Sequence, residues 1–553
     1  MRLLPRILAD EDELDREPEL EEKARDQDHA GRAAEVPPGP VRRWVVSVAA
    51  TAVVARLVYL FAFTDPENAG HGFTDAYHHW QIAYLTKEIG LTHGPRLWDL
   101  RGWEYYWGLL HPALMDALFF LTGSSDILVG RLLSVAFGSL AVVLIFLLCH
   151  RYWGLHVAIG AAAFASLAPA AVFNDTAGMP EPIAVSLVLL GIWLTPRRGF
   201  WSGVAWGLAA MARVEAWLFG AGLVVAWMVG RRPVRGRWWL VLGWVVVMGL
   251  YAKFLFDSTG NPIYPFYWSF LFVAFGAFDS SPVLTAAQES LRVPLALASA
   301  ACAAGLAWSL WKRPASYLLL VYGFGYSAYS FATFLKVDAW KERRFELPLD
   351  FAAILVAVVL FKVIPSYRPA LRPIAWATSV ACLLAVQVFW VPIQTAYAAT
   401  EAGYRDQVAL GDSIGAVYNR PEYRGGVIAM PGDDPTLLYT MVRYGGVPGA
   451  RVVSEFYDPF YYLPSGYHYV DHKDVAGRLL QCWFSTAKTR LLLLPPSSPF
   501  NHSVQDYVAF MRDHPDWFAD TQVELGYGLR LIAVQVPDLG SAACEQAARD
   551  APH

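Results

Sequence analysis

The sequence predicts a mainly α protein: a polytopic transmembrane helical bundle of about eleven spans, followed by a C-terminal extracytoplasmic α/β domain. Three observations carry that expectation. The 553 residues are 56% hydrophobic and 14% aromatic but only 17% charged, against about 25% charged in ordinary soluble domains, so lipid is the main solvent. Apolar runs of membrane-spanning length recur between residues 44 and 391, with arginine pairs between them. After Ala399 the composition becomes that of a soluble domain, in which short β-type runs alternate with helical stretches.

In chain order, residues 10–28 (DEDELDREPELEEKARDQD) are almost wholly charged and lack aromatics. They cannot bury enough apolar area to offset the entropy of ordering, so 1–43 reads as a disordered acidic cytoplasmic tail. No small-residue cleavage site precedes Trp44–Phe63, which is expected to stay as a signal anchor. Further spans are expected at 126–149, 157–173, 182–195, 200–213, 215–230, 238–256, 292–311, 316–335, 346–364 and 373–391. The run 108–122 carries Pro112 and Asp116 and is only about 15 residues long, so it reads as a re-entrant or interfacial helix.

Charge bias agrees with that choice. With the N-terminus cytoplasmic, every inside loop is basic, through Arg42/Arg43, Arg151, Arg197/Arg198, Arg231/Arg232/Arg235/Arg237, Lys312/Arg313 and Arg368/Arg372. Counting 108–122 as a span would put all the downstream clusters outside. The expectation is a multi-pass plasma-membrane protein with a transmembrane domain over 44–399. Its large first outer loop (64–125), the turns near 174–181 and 213–215, the loops 257–291 and 336–345 and the domain 400–553 would then share the outer side.

Within 400–553, VIAM (427–430), RLLLL (490–494) and LRLIAV (529–534) read as strands, and Pro435–Tyr444 and Ser503–His514 as helices. There is no P-loop and no G-x-G-x-x-G there, so nothing supports nucleotide binding in this domain, and no nucleic-acid partner is expected of the chain. Cys149, Cys302 and Cys382 lie in apolar spans as small core residues. Cys482 and Cys544 lie in the polar C-terminal region and could pair once it is exported; spacing alone leaves this open.

Ionisable residues without a topological role gather on the outer side. In FTDAYHHWQIAYLTKEIG, a helix from Asp75 puts Asp75, His78 and His79 at i, i+3 and i+4 on one face, with Trp80 and Tyr84 as an aromatic ridge beside them. Asp75 could serve as general base for an acceptor hydroxyl, could join a divalent metal site with the histidines, or could be only a helix N-cap. Glu104, among Trp103, Tyr105 and Trp107, suits either a sugar site or an interfacial aromatic belt. In NDTAGMPEPIAVSL, Asp175 and Glu181 flank a glycine and a proline; carboxylates at membrane level need partners or a water-filled cavity. Arg213 and Glu215 interrupt apolar sequence in MARVEAW, as an ion pair or as binding groups. Lys341, Arg343 and Arg344 sit outside against the usual bias, which asks for an anionic partner such as a lipid phosphate.

The order of these features resembles the integral-membrane glycosyltransferases of the C superfamily (GT-C), particularly the protein-O-mannosyltransferase-like and aminoarabinose-transferase-like branch. The matching pieces are FTDAYHHWQIA, WGLLHPALMDALFFLTG, GRLLSVAFGSLAVVLIFLLCHRYWG, NDTAGMPEPI, MARVEAW and RRFELPL, over roughly 44–360. The resemblance implies a polyprenyl-phosphate sugar donor, a glycan, lipid or protein acceptor, and inverting transfer outside the membrane. It implies Asp75 as general base or acceptor-orienting carboxylate, and Glu181 with Asp175 completing the site. His78, His79, Glu104 and Glu215 would line the substrate pocket, while Arg213, Lys341, Arg343 and Arg344 would hold the donor phosphate. A divalent cation, Mg or Mn, is a candidate cofactor, with Asp75, His79 and Glu181 as its ligands. One Asp followed by two histidines, where an acidic pair is usual, leaves metal use open, and the absence of WWDYG argues against an oligosaccharyltransferase catalytic subunit. The alternatives are a transporter or flippase, disfavoured by charges at one face and no paired halves, and a non-catalytic binder of polyprenyl-linked lipids.

Overall fold

The computed structural model describes residues 38–64, 74–90, 108–195, 198–218, 237–267, 346–400, 406–431, 434–454, 469–496 and 503–550. The chain divides into two units, Met1–Ser47 and Val48–His553, and the site described below lies in the second.

Among the described residues, five helices are long and apolar enough to cross a membrane, within α1 (Pro38–Ala62), α4 (Ile127–Trp153), α9 (Arg237–Thr259), α10 (Glu346–Val358, extended to Tyr367) and α11 (Arg372–Thr400). Shorter apolar helices lie beside them: α3 (Leu110–Thr122), α5 (Leu155–Leu167), α7 (Glu181–Leu194) and α8 (Gly199–Ala212). The most apolar window of α4 is 61% buried, whereas that of Pro369–Phe389 is only 11% buried. α4 is therefore an internal helix, and the latter faces outward. α4 starts where the Asp126 carboxylate accepts from Leu128 N at 2.8 Å, and His150 and Arg151 in its last turn suit the helix dipole.

The single span expected over 157–173 is two helices, α5 and α6 (Pro169–Thr176). Ala168 is extended (φ −66°, ψ 114°) because the ring of Pro169 excludes the helical region for the residue before it, and Pro169 then suits the first turn of α6. The run 108–122 forms the short helix α3, which ends at left-handed Gly123. The expected spans at 292–311 and 316–335, and all but the first turn of 215–230, lie outside the described residues.

The C-terminal region contains a five-stranded sheet of order β2-β1-β3-β5-β4. Its strands are β1 (Val427–Met430), β2 (Val452–Ser454), β3 (Thr489–Leu494), β4 (Phe518–Asp520) and β5 (Arg530–Val534). β1 runs parallel to β2 and β3, while β5 is antiparallel to β3 and β4, with Leu492 opposite Ile532. Helices α12 (Gln407–Tyr418), α13 (Pro435–Arg443), α14 (Lys473–Thr486), α15 (Ser503–Asp513) and α16 (Ser541–Asp550) flank it.

Strand periodicity divides the core in two. Ile428, Met430, Leu491, Leu493 and Leu531 point to one cluster with α12 and α13, and Ala429, Leu492, Leu494, Ile532 and Val534 to another with α14 and α15. The first cluster is continuous with Tyr77, Trp80, Tyr84 and Leu85 of α2 (Thr74–Ile89) and with Met115 and Phe119 of α3. The sheet thus shares its core with α2 and α3. Cys482 of α14 is bonded to Cys544 of α16, with Cα atoms 5.5 Å apart.

Candidate functional site

Asp75 lies in the first turn of α2, one residue after the helix begins, where a carboxylate complements the positive end of the dipole. It is half-buried, while His78 and His79 are 7% and 2% exposed. The spacing brings all three to one face. The His79 ring meets that of His111, in the first turn of α3, with centroids 4.8 Å apart and planes at 67°. His111 arrives there because Gly108, at φ +96°, packs directly on the last carbonyls of α8: a Cβ would overlap the oxygens of Met211 and Ala212. The start of α3 is thereby set against the end of α8.

Arg213 leaves α8 in an extended conformation (φ −143°, ψ 134°). Its guanidinium is gripped by Glu215 through two bonds, Nε to Oε2 at 3.0 Å and Nη2 to Oε1 at 2.5 Å. Its remaining edge faces Glu181, Nη1 to Oε1 at 3.4 Å. One cation therefore bridges two carboxylates that are 6% and 3% exposed, while being 14% exposed itself.

Glu181 opens α7 after a turn through Gly178 (φ +80°) and Pro180. That turn is pinned to α4 by Ser134 Oγ donating to Met179 O at 2.9 Å. A Cβ at Gly178 would lie 3.4 Å from Arg131 Cγ and 3.7 Å from Ala76 Cβ, so the turn carrying Glu181 rests on the first turn of α2, beside Asp75.

Electrostatics report the same closeness. Burial, opposed by Asp75, pushes His78 down to about 3. Burial first, then His111, holds His79 well below the ordinary histidine range; Asp75 acts to raise it, while His78 and Arg213 lower it further. Both imidazoles are thereby held neutral at physiological pH. Arg213 brings a positive charge to this cluster. The arrangement can take a proton at a carboxylate and meet an anion with a guanidinium held in fixed orientation.

Asp175 belongs to a second group. Its carboxylate is paired with Arg56 of α1, whose Nε and Nη2 both lie 2.6 Å from Oδ2, and both side chains are 1% exposed. Arg56 also donates to Ala52 O at 3.1 Å. Gly138 of α4 makes the room, since a Cβ there would coincide with the Asp175 carboxyl. Asp350, 4% exposed at the start of a span, is close enough to interact electrostatically with both partners.

Among the described residues, no three of His, Cys, Asp and Glu are disposed to hold a metal ion. Asp75, His79 and Glu181 do not form such a group. Glu104, Lys341, Arg343 and Arg344 lie outside the described residues. Sequence reasoning passed over His111 and Arg131, which belong to this cluster's surroundings, and Arg56 and Asp350, which complete the second. The signal for Arg56 was a lone charge in the middle of an apolar span, and for His111 a histidine in an otherwise apolar helix start.

No protein-family model matches the sequence, and no curated protein matches it with significance. Solved structures do match. ArnT from Cupriavidus metallidurans bound to undecaprenyl phosphate is 16% identical with a TM-score of 0.52, over 90% of this chain and 99% of that one. The apo form of the same protein aligns with a TM-score of 0.51 at 14% identity, over 89% and 98%. The archaeal oligosaccharyltransferase AglB from Archaeoglobus fulgidus, in complex with an inhibitory peptide and a dolichol-phosphate, gives 0.50 at 12% identity, over 82% and 69%. At these identities the likeness speaks to the fold.

Proposed function

We infer that this chain, GT-C-like in fold, is a glycosyltransferase that moves a sugar from a polyprenyl-phosphate donor to a hydroxyl acceptor at the extracytoplasmic face. The observation that carries the reading is the meeting of Asp75, His79, Glu181 and Arg213, from three separated segments, in one cluster. The undecaprenyl phosphate and dolichol-phosphate in the structural neighbours support a polyprenyl-phosphate donor.

In the proposed reaction the acceptor oxygen attacks the anomeric carbon, and the carbon–oxygen bond to phosphate breaks on the opposite side. The bonding pair leaves with the polyprenyl phosphate, the hydroxyl proton passes to Asp75, and the configuration inverts. Arg213, oriented by Glu215, is preset for the charge that grows on the departing phosphate; such preorganised stabilisation is commonly the largest catalytic term. Neutral His78 and His79 would orient hydroxyl groups. The basic group Lys341, Arg343 and Arg344 is proposed to extend the phosphate site.

The test uses membranes carrying the full chain and a labelled lipid-linked sugar. Asp75→Asn is expected to lower transfer by about 10²- to 10⁴-fold while the labelled lipid still binds. Undiminished transfer would remove Asp75 from the mechanism, and lipid binding by the wild-type chain with no transfer would favour a non-catalytic binder.

A further inference from the structure

The geometry points to the C-terminal domain as the part that holds Asp75 and His79 in register with Arg213, with Tyr439 as a positioning residue; this rests on the transfer reading above. α2 has two working faces. Asp75, His78 and His79 occupy the face that meets His111 and feels Arg213. Tyr77, Trp80 and Tyr84, at i, i+3 and i+7, occupy the other and are 1%, 1% and 7% exposed.

The C-terminal domain supplies the cover on that second face. The Tyr439 ring of α13 stands edge-on to both Tyr77 and Trp80, with centroids 5.2 and 4.9 Å away. Trp80 stacks on Tyr84 at 4.7 Å, and Gly449 lets the backbone ahead of β2 close on the Tyr84 ring, where a Cβ would overlap it. The rim is fastened as well. Trp80 Nε1 donates to Ser125 O at 2.7 Å, and Arg443, one turn beyond Tyr439, pairs with Asp126 at 3.0 Å. α13, α2 and the turn between α3 and α4 therefore meet at one place.

A 16-residue helix whose own three aromatic rings are seated on Tyr439 and the Gly449 backbone cannot roll without carrying its opposite face away from Arg213. Displacing a catalytic group by about 1 Å can cost on the order of 100-fold in rate. Losing the Tyr439 ring would thus slow turnover even though Tyr439 lies on the far side of α2 from the cluster. Its aromatic plane, which Phe supplies equally, is what the seat requires.

The experiment compares Tyr439→Leu, Tyr439→Phe and Gly449→Val in the full chain. Tyr439→Leu and Gly449→Val are expected to lower kcat about 10- to 100-fold with donor KM within about threefold of wild type, and Tyr439→Phe to restore it. A second readout is independent of transfer: a His79→Cys/His111→Cys pair is oxidised, and Tyr439→Leu should reduce the cross-link yield severalfold where Tyr439→Phe does not. Unchanged kcat together with unchanged cross-linking in Tyr439→Leu overturns the proposal. If the wild-type chain transfers nothing but cross-linking still falls, the transfer reading fails and the positioning role of Tyr439 stands.

Discussion

Replacing Arg56 by Met should strip Asp175 of its counter-charge in the interior of the bundle. The two side chains are 1% exposed, two guanidinium nitrogens lie 2.6 Å from one carboxylate oxygen, and a second carboxylate, Asp350, interacts with the pair. Breaking a buried ion pair by removing one partner costs about 3–5 kcal/mol, most of it from the uncompensated charge, while replacing both partners by apolar residues is often neutral or stabilising. Arg56→Met is therefore expected to destabilise the chain by about 3–5 kcal/mol, and Arg56→Met/Asp175→Leu to recover most of that loss. Unfolding of the purified chain in mixed micelles with rising dodecyl sulfate would measure both. Gly138→Ala should move in the same direction as the single variant, because its methyl would take the place of the Asp175 carboxyl. The reasoning is refuted if Arg56→Met lies within about 1 kcal/mol of wild type, or if the double variant is no better than the single. Transfer retained by the double variant would assign Asp175 to the scaffold and leave the chemistry to the Asp75 cluster.

Three further outcomes follow from the same geometry. His78 is held at about 3 by burial, against roughly 6.5 when unfolded, so below pH 6.5 the unfolded chain binds a proton that the folded chain refuses. Stability should fall as pH drops from 7 to 5, read as the melting temperature, and His78→Asn should make that dependence shallower without abolishing it, because burial lowers His79 and His111 as well. Opening the Cys482–Cys544 bond, which joins residues 62 apart, should cost about 4 kcal/mol by the loop-entropy relation, measured as the stability of the wild-type chain with and without reductant and of Cys482→Ser/Cys544→Ser. Arg213→Lys keeps the charge but loses the fork that Glu215 grips, so donor binding should weaken about 10-fold or more, measured with labelled polyprenyl-phosphate sugar.

Much of the scaffold was legible because its causes are local. Hydropathy marked α1, α4, α9, α10 and α11, and strand-type runs marked β1, β3 and β5 nearly to the residue. What escaped depends on packing. The run 157–173 is continuously apolar, so only the stereochemistry of Ala168–Pro169 betrays its break. β2 and β4 have three residues each and become strands only by pairing with a neighbour. The i, i+3, i+4 face of Asp75, His78 and His79 could be read directly, whereas the approach of Arg213 and Glu181 depends on the close backbone contact at Gly108 and the left-handed turn at Gly178. His111 and Arg56 sit inside apolar runs, where hydropathy speaks only for burial, and their partners are far away in the chain.

The most direct test places the purified full-length chain in liposomes with labelled sugars on polyprenyl phosphate and a cell-envelope extract as acceptor. The account predicts that label leaves the lipid only when acceptor is offered on the side bearing the C-terminal domain, and that the product carries the opposite anomeric configuration. Label that crosses between leaflets while staying on its lipid, with no transfer for any sugar supplied, would contradict it and identify a lipid carrier instead.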